Sequence, residues 1–202
     1  MSSSDIESSL IEAATSDRDG VCQSQTPGGA GDLTINGALA SGGSVTFDQP
    51  RVVTIYGSGN EAGKTFTIVG TDETGTAQTE TLAGPNNSTV ATNNYFATVT
   101  QVSVDAATAA AVEVGSGDEI CGVVFRGSCR VRGIYVLNSG TSGLVTFVAG
   151  SSSGETRMQY RTTGTADSTE YPSIPDYGIR CVDGGYALFD IANLTSMTVF
   201  FS

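Results

Sequence analysis

The chain has 202 residues, of which 21 are acidic and nine basic, so its formal net charge at pH 7 is −12. It contains no histidine, which excludes Ser-His and Cys-His nucleophile pairs as well as His-ligated metal sites. The strong acidity argues against nucleic-acid partners and against anionic membrane surfaces, because both attract cationic proteins.

The composition favours β-structure. Gly, Thr and Ser together make up 75 of the 202 residues. Thr is common in strands, whereas Gly and Ser are common in turns. We therefore predict an all-β fold.

The charge is unevenly distributed along the chain. Residues 1–118 hold 14 acidic and three basic residues, whereas residues 119–202 hold seven acidic and six basic residues. This shift in composition predicts a domain boundary at Gly115-Ser-Gly-Asp118. We expect an N-terminal helix and arm (1–30), an acidic β-sandwich domain (31–116) and an arginine-containing, jelly-roll-like β-sandwich domain (117–202).

The N-terminal segment has the pattern of a short helix. Ser4 and Glu7 have the spacing of a capping box, and Ile6, Leu10 and Ile11 fall on one helical face. The pattern predicts an amphipathic helix over residues 5–15, followed by a polar, Gly-rich arm. Because an isolated helix of this length is marginal in water, its apolar stripe must dock on this chain, a symmetry mate or another protein. Ile6, Leu10 and Ile11 are therefore candidate interface residues.

From Asp32 onward, short apolar alternations are separated by turn residues. About seven strands at roughly ten-residue spacing fit each half of the remaining chain, a pattern typical of two tandem antiparallel β-sandwiches or barrels. The predicted strands include residues 44–48, 51–56, 64–69, 77–82, 96–104, 110–114, 120–125, 129–138, 144–148, 155–162, 179–182, 186–190 and 194–201. Gln49-Pro50 is expected to separate the first two of these strands.

Four cysteines, Cys22, Cys121, Cys129 and Cys181, are too few for a disulfide scaffold and include no Cys-x-x-Cys motif. Buried reduced thiols are one possibility. A bridge between Cys121 and Cys129, or between Cys121 and Cys181, is the alternative.

The carboxylates lie mostly in turns and on polar strand faces, as at Asp72, Glu73 and Glu80, where a solvated carboxylate is the ordinary state. General acid–base chemistry needs carboxylates with shifted pKa values in a cleft. We therefore expect no catalytic residues, no metal site and no cofactor, and we predict that the protein is not an enzyme.

Most arginines lie in the second half of the chain. Arg130 and Arg132 share one face of a predicted strand, and Arg157 and Arg161 share one face of another. Two interpretations remain open, a solvent-exposed sheet face and an interface that forms ion pairs. Arginine is well suited to bidentate contact with carboxylates at interfaces, so all four are candidate interface residues.

Five stretches between residues 31 and 104 carry a resemblance to a known group of proteins. They are Gly-Asp-Leu-Thr-Ile-Asn-Gly-Ala-Leu-Ala (31–40), Ser-Val-Thr-Phe-Asp-Gln-Pro-Arg-Val-Val-Thr-Ile (44–55), Gly-Lys-Thr-Phe-Thr-Ile-Val-Gly-Thr-Asp (63–72), Thr-Glu-Thr-Leu-Ala-Gly (79–84) and Tyr-Phe-Ala-Thr-Val-Thr-Gln-Val-Ser-Val (95–104). With them, residues 31–115 resemble a domain of tailed-bacteriophage virion proteins. Residues 129–149, which contain Arg-Val-Arg-Gly-Ile-Tyr-Val-Leu-Asn-Ser-Gly-Thr-Ser-Gly-Leu-Val-Thr-Phe (130–147), are similar to a small β-module of phage structural proteins.

The resemblance implies a structural role in the virion without catalytic residues. It implies first a capsid decoration, or cement, protein that stabilises the head by bridging subunits. Its expected partners are copies of itself, in a trimer or another cyclic oligomer, and the major capsid protein or another virion protein. The alternatives are a tail, head–tail adaptor or fibre-associated protein, and a carbohydrate-binding β-module.

Overall fold

The computed structural model describes residues 5–12 and 14–202. Over these residues the chain is all-β and sandwich-like, with several sheets and no helix. The strands before residue 105 are β1 (Glu7–Ile11), β2 (Cys22–Gln25), β3 (Gly31–Asp32), β4 (Ala40–Ser41), β5 (Ser44–Asn60), β6 (Thr65–Thr71), β7 (Ala77–Ala83), β8 (Asn86–Ala91) and β9 (Phe96–Val104). The remaining strands are β10 (Val112–Phe125), β11 (Cys129–Asn138), β12 (Leu144–Ala149), β13 (Glu155–Arg161), β14 (Thr169–Glu170), β15 (Ile179–Cys181), β16 (Gly185–Asp190) and β17 (Leu194–Phe201).

Residues 15–118 form one compact unit. Its main sheet has the strand order β10-β5-β9-β6-β7, with β2 paired to β10, β3 to β9, and β4 and β8 to β5. Alternation along the strands turns every second side chain inward. The resulting core is built from aliphatic and phenylalanine side chains, among them Val53, Ile55, Phe66, Ile68, Phe96, Val99, Val102 and Val114.

The second compact unit combines residues 5–12 and 14 with residues 119–202. One of its sheets has the order β1-β17-β11, with β14 and β15 both paired to β11. Strands β13, β12, β16 and the last residues of β10 form the other. The core includes side chains from both sheets, among them Ile11, Ile120, Val131, Ile134, Phe147, Phe189, Met197 and Val199.

The predicted N-terminal helix is wrong, because residues 7–11 form strand β1. This strand pairs antiparallel with β17, in a register from Glu7 opposite Phe201 to Ile11 opposite Met197. Leu10 and Ile11 are adjacent, so in a strand they point to opposite faces, and only Ile11 enters the core. Pairing with β17 outweighs a helix too short to be stable alone. Ser4, the predicted cap, lies outside the described residues.

The segment expected to be an arm packs within the first unit. Val21 and Cys22 are fully buried, and Gly37 donates a backbone hydrogen bond to the carbonyl of Val21. Strand β2 continues from this anchor and pairs with β10. Residues 20–25 are therefore part of the fold of this unit.

Two expected interruptions lie inside continuous strands. Strand β5 runs through Pro50, where its pairing with β9 shifts register between Thr46 and Arg51. A proline is tolerated at such an irregularity because its missing N–H removes no regular ladder bond. Gly115 and Gly117 lie within β10, where a Cβ on Gly117 would be 2.5 Å from Cγ2 of Val52. These glycines permit close packing and do not form a turn.

Candidate interaction surface

Strand β1 is the outermost strand of the β1-β17-β11 sheet. The three residues predicted to form one apolar stripe on or beside it do not share a face. Ile11 is fully buried, whereas Leu10 is 57% exposed and Ile6, just before the strand, is 65% exposed. Ile11 therefore anchors β1 to the core of its own unit and is not available to a partner while the strand is docked. Ile6 and Leu10 remain accessible.

Strand β1 is held by more than its backbone pairing. A Cβ on Gly122 would lie 2.6 Å from Cγ2 of Ile11, so the isoleucine packs directly on the bare backbone of that glycine. The Ser9 hydroxyl donates to the carbonyl of Val123 at 3.3 Å. The strand thus bridges from β17 to the opposing sheet.

The outer face of this sheet carries large side chains. Leu10 lies opposite Thr198, and Thr198 lies opposite Tyr135 on β11, so all three point to the same side. Phe200 also points outward and is 38% exposed. The ring of Tyr171 packs edge-on against Tyr135, with 5.1 Å between ring centroids.

Three arginines lie on the same side of the sheet. Arg130 and Arg132 flank the buried Val131, so both side chains point outward. Arg180 lies directly opposite Arg130 in the pairing of β15 with β11. We call the outward residues Leu10, Arg130, Arg132, Tyr135, Tyr171, Arg180 and Phe200 the arginine–tyrosine face.

Hydrogen bonds to neutral groups position two of these arginines. The Nη1 atoms of Arg130 and Arg132 both donate to the carbonyl of Tyr177, at 3.2 and 3.0 Å. Arg132 also donates from Nε to the Ser202 hydroxyl at 2.9 Å. The side chain of Tyr177 is 85% exposed beside them.

No described carboxylate forms an ion pair with Arg130, Arg132 or Arg180. Like charges directly opposite one another across strands are destabilising, yet Arg130 and Arg180 occupy such positions. Among the described residues, these three guanidinium groups are therefore not paired with an Asp or Glu side chain, although the chain is acidic as a whole.

The basic residues of the first unit contrast with this arrangement, because each has a carboxylate partner. Arg18 pairs with Glu113 at 2.6 Å, Arg51 with Asp48 at 2.9 Å and Lys64 with Glu61 at 2.5 Å.

The four arginines predicted as interface residues form two groups on different sheets. Arg157 and Arg161 lie on β13, away from Arg130 and Arg132 on β11. Arg157 forms an ion pair with Glu155 at 3.0 Å. Arg161 lies opposite Leu144 at the end of the β12–β13 pairing. The β13 pair is thus partly neutralised.

Sequence reasoning did not identify Arg180, Tyr135, Tyr171 or Tyr177 as members of this surface. Arg180 joins Arg130 only through the pairing of β15 with β11, across about 50 residues of sequence. Local alternation can assign each of these side chains to a face of its own strand. It does not reveal which strands are neighbours.

One buried carboxylate outside the arginine–tyrosine face, that of Glu61, stabilises a loop. Glu61 is fully buried and accepts hydrogen bonds from the backbone N–H groups of Ala109 and Ala110, both at 2.9 Å. Burial opposes its ionisation, but the hydrogen bonds from Lys64 and these two amides outweigh burial, so the pKa of Glu61 is lowered. This network ties residues 109–110 to the end of β5.

Over residues 5–12 and 14–202, no group of three or more Cys, Asp or Glu side chains is placed to hold a metal ion. Within the same described part of the chain, no helix has the length and apolar character needed to cross a bilayer. Comparison with protein-family models and with curated proteins finds no match to this chain.

Proposed function

We propose that this protein is a structural component of a tailed-bacteriophage virion, and specifically a capsid decoration protein that acts by adhesion. The resemblance of residues 31–115 and 129–149 to phage structural proteins supports this role, as does the all-β fold. We further propose that the two compact units, residues 15–118 and strand β1 with residues 119–202, are two β-sandwich domains, the second jelly-roll-like. The observation that carries the proposal is the arginine–tyrosine face, whose three arginines form no ion pair with a carboxylate in the described part of the chain.

The chemistry of the face fits docking onto a protein surface. A guanidinium binds a carboxylate through two parallel hydrogen bonds, which gives both affinity and a fixed orientation. Arginine and tyrosine are also enriched among residues that dominate binding energy. We therefore propose that Arg130, Arg132 and Arg180 bind carboxylates of the capsid shell, while Leu10 and Phe200 contribute apolar contact beside them. Repeated copies in a cyclic oligomer would strengthen such contacts through multivalency.

The location is tested by quantitative mass spectrometry of purified phage particles. A decoration protein is expected at a copy number comparable with that of the major capsid protein. A copy number far below that of the shell protein, with the chain imaged on the tail, would replace the decoration role by the tail or adaptor role. Absence of the chain from purified particles would overturn a virion function altogether.

The role of the face is tested by adding purified protein to particles that lack it. The double variant Arg130→Glu, Arg132→Glu should bind at least about 25-fold more weakly, since loss of an interfacial charge pair costs about 2–5 kcal/mol. The matched control is Arg157→Glu, Arg161→Glu, which reverses the same charge on the other sheet. Equal loss in the two variants would show that net charge, and not this face, determines binding. Circular dichroism checks that both variants are folded.

The exposed tyrosines favour a second candidate, a carbohydrate-binding module. Tyr171 is 70% and Tyr177 is 85% exposed, and the edge-on pair of Tyr135 and Tyr171 offers a ring surface on the same face as the arginines. Aromatic rings with a polar neighbour present both an apolar body and hydrogen-bonding groups. A glycan array identifies this function if a saccharide binds wild type and is lost in Tyr171→Ala and Tyr177→Ala. No glycan binding at all would eliminate it.

A further inference from the structure

Cys129 and Cys181 lie directly opposite each other where β15 pairs with β11. Both thiols are free and buried. A Cβ on Gly185 would lie 3.2 Å from Sγ of Cys129 and 3.6 Å from Sγ of Cys181, so both sulfurs pack over the same glycine. The alternatives expected from the sequence paired Cys121 with one of these two residues, whereas the fold pairs the two with each other.

The geometry meets the main requirement for a disulfide. Residues directly opposite on antiparallel strands have Cα atoms about 4.5 or 5.5 Å apart, depending on the type of pair. Disulfides join Cα atoms that are about 4.4–6.8 Å apart. A bond between these two sulfurs therefore needs no new arrangement of the strands.

We propose that Cys129 and Cys181 are a redox-modification site that forms a cross-strand disulfide when a small disulfide oxidant, such as oxidised glutathione, reaches them. Strand β15 has three residues, and among the described strands it pairs with β11 alone. A short edge strand of this kind opens locally more easily than a central strand. Such opening gives the oxidant access to the thiols, and the bond would then fix β15 to β11.

The reaction proceeds by two exchange steps. The Cys181 thiolate attacks one sulfur of glutathione disulfide, forming a mixed disulfide and releasing one glutathione thiolate. The Cys129 sulfur then attacks Cys181, releasing the second glutathione. The two thiol protons of the protein end on the two glutathione molecules, which carry the two electrons removed from the protein.

The surroundings of the two thiols shift their pKa values in opposite directions. The hydrogen bond from Cys129, together with the positive charge of Arg157, lowers the pKa of Cys181 despite its burial. The same hydrogen bond and burial raise the pKa of Cys129. Cys181 is therefore the thiol that attacks first, and Cys129 is the resolving thiol.

The bond would also fix the arginine–tyrosine face. Arg130 and Arg180 immediately follow and precede the cysteine pair on their strands, and they lie opposite each other. Holding β15 on β11 keeps Arg180 beside Arg130 in spite of their like charge. If the proposed virion function is right, on which this consequence rests, the bond would form after release from the reducing cytosol.

The test equilibrates purified full-length protein with mixtures of reduced and oxidised glutathione, followed by acid quenching, alkylation and peptide mapping. We expect one disulfide, linking Cys129 to Cys181, in wild type and in Cys22→Ser, Cys121→Ser, and none in Cys129→Ser. Oxidation should raise the thermal midpoint and slow amide exchange over residues 179–181. Predominant linkage through Cys121 or Cys22, or no linkage under oxidising conditions, would overturn the proposal.

Linkage mapping on wild type needs no substitution, so the test holds even where a serine variant folds poorly. It also needs no phage particle, so its failure leaves the proposed virion function intact. Conversely, a disulfide in a protein that never enters particles would support the modification site and reject the virion function.

Discussion

Ile11 packs on Gly122, where any side chain would collide with it: a Cβ at residue 122 would lie 2.6 Å from Cγ2 of Ile11. Strand β1 is therefore seated through a contact that only glycine permits. Over-packing of a core typically costs about 1–3 kcal/mol. This contact makes the docking of β1 open to a specific test.

We predict that Gly122→Ala loosens β1 and lowers the free energy of unfolding by about 1–3 kcal/mol. Hydrogen–deuterium exchange should accelerate over residues 7–11 more than over β12. The matched control is Gly133→Ala in β11, where the nearest heavy atom to a new Cβ is 3.5 Å away. If Gly122→Ala leaves exchange in β1 unchanged, Ile11 is not seated as described.

Substitutions at two adjacent residues should have different effects. Ile11→Ala removes a fully buried side chain and should lower the free energy of unfolding by about 2–5 kcal/mol. Leu10→Ala, on the exposed side of the same strand, should change it by less than about 0.5 kcal/mol. Urea unfolding measures both. Leu10→Ala should nevertheless weaken particle binding, and similar stability losses in the two variants would contradict the strand register.

Reversing the charge of Arg180 should raise the stability of the isolated protein and weaken its binding to phage particles. Arg180→Glu places a carboxylate opposite Arg130, and a favourable cross-strand charge pair contributes roughly 0.2–1 kcal/mol. The same variant removes one positive charge from the proposed docking face. Thermal unfolding and particle binding are measured in parallel, with Arg161→Glu as the control. A variant that is less stable and binds normally would be the opposite of what we expect.

Glu61 should make stability depend on pH in the acid range. Its folded-state pKa lies below the ordinary value of 4.5, so its contribution is complete above about pH 4.5 and is lost as the pH falls toward the folded-state pKa. Glu61→Gln should be about 1.5–3 kcal/mol less stable than wild type at pH 7, the value of a charged hydrogen bond. The difference in the free energy of unfolding between wild type and Glu61→Gln should become smaller below pH 4.5.

Urea unfolding at several pH values measures this difference, with Glu80→Gln as the control. Glu80 also accepts hydrogen bonds from backbone amides, those of Asn93 and Asn94, but these bonds are exposed to solvent. Parallel pH profiles for wild type and Glu61→Gln would contradict the role given to Glu61.

Strands with a clear alternation could be predicted well from the sequence. Residues 96–104, 129–138 and 194–201 form strands with the predicted limits. Each alternates inward and outward side chains between well-defined turns, so the local pattern and the packing agree.

The N-terminal segment could not be assigned in the same way. Ile6, Leu10 and Ile11 fit one face of a helix, but they also fit a strand with Ile11 inward and Leu10 outward. Only the distant partner β17 decides between the two. For a five-residue element, such tertiary pairing outweighs the local pattern.

The prediction from sequence was wrong at two glycines that permit close packing. Gly115 and Gly117 were expected to end a strand, yet β10 continues through both because neighbouring segments leave no room for a side chain. The composition of a Gly-Ser-Gly stretch is the same in both situations. The spatial neighbour that distinguishes them is not visible in the sequence.

The candidate surface was only partly predictable. Alternation correctly placed Arg130 and Arg132 on one outward side of their strand, whereas the addition of Arg180 and Tyr171 depends on which strands lie next to β11. A cluster assembled from two separate strands and a loop leaves no continuous motif.

The pairing of β1 with β17 has a consequence for synthesis on the ribosome. Residues 7–11 are translated before their partner residues 197–201. Until residues 197–201 emerge, the backbone of residues 7–11 has no strand partner, and Ile11 lacks the residues that it packs against. Such an edge can recruit an equivalent sheet on a nearby nascent chain. The rate at which translation finishes would then influence whether residues 7–11 pair with residues 197–201 of the same polypeptide or of a neighbouring one.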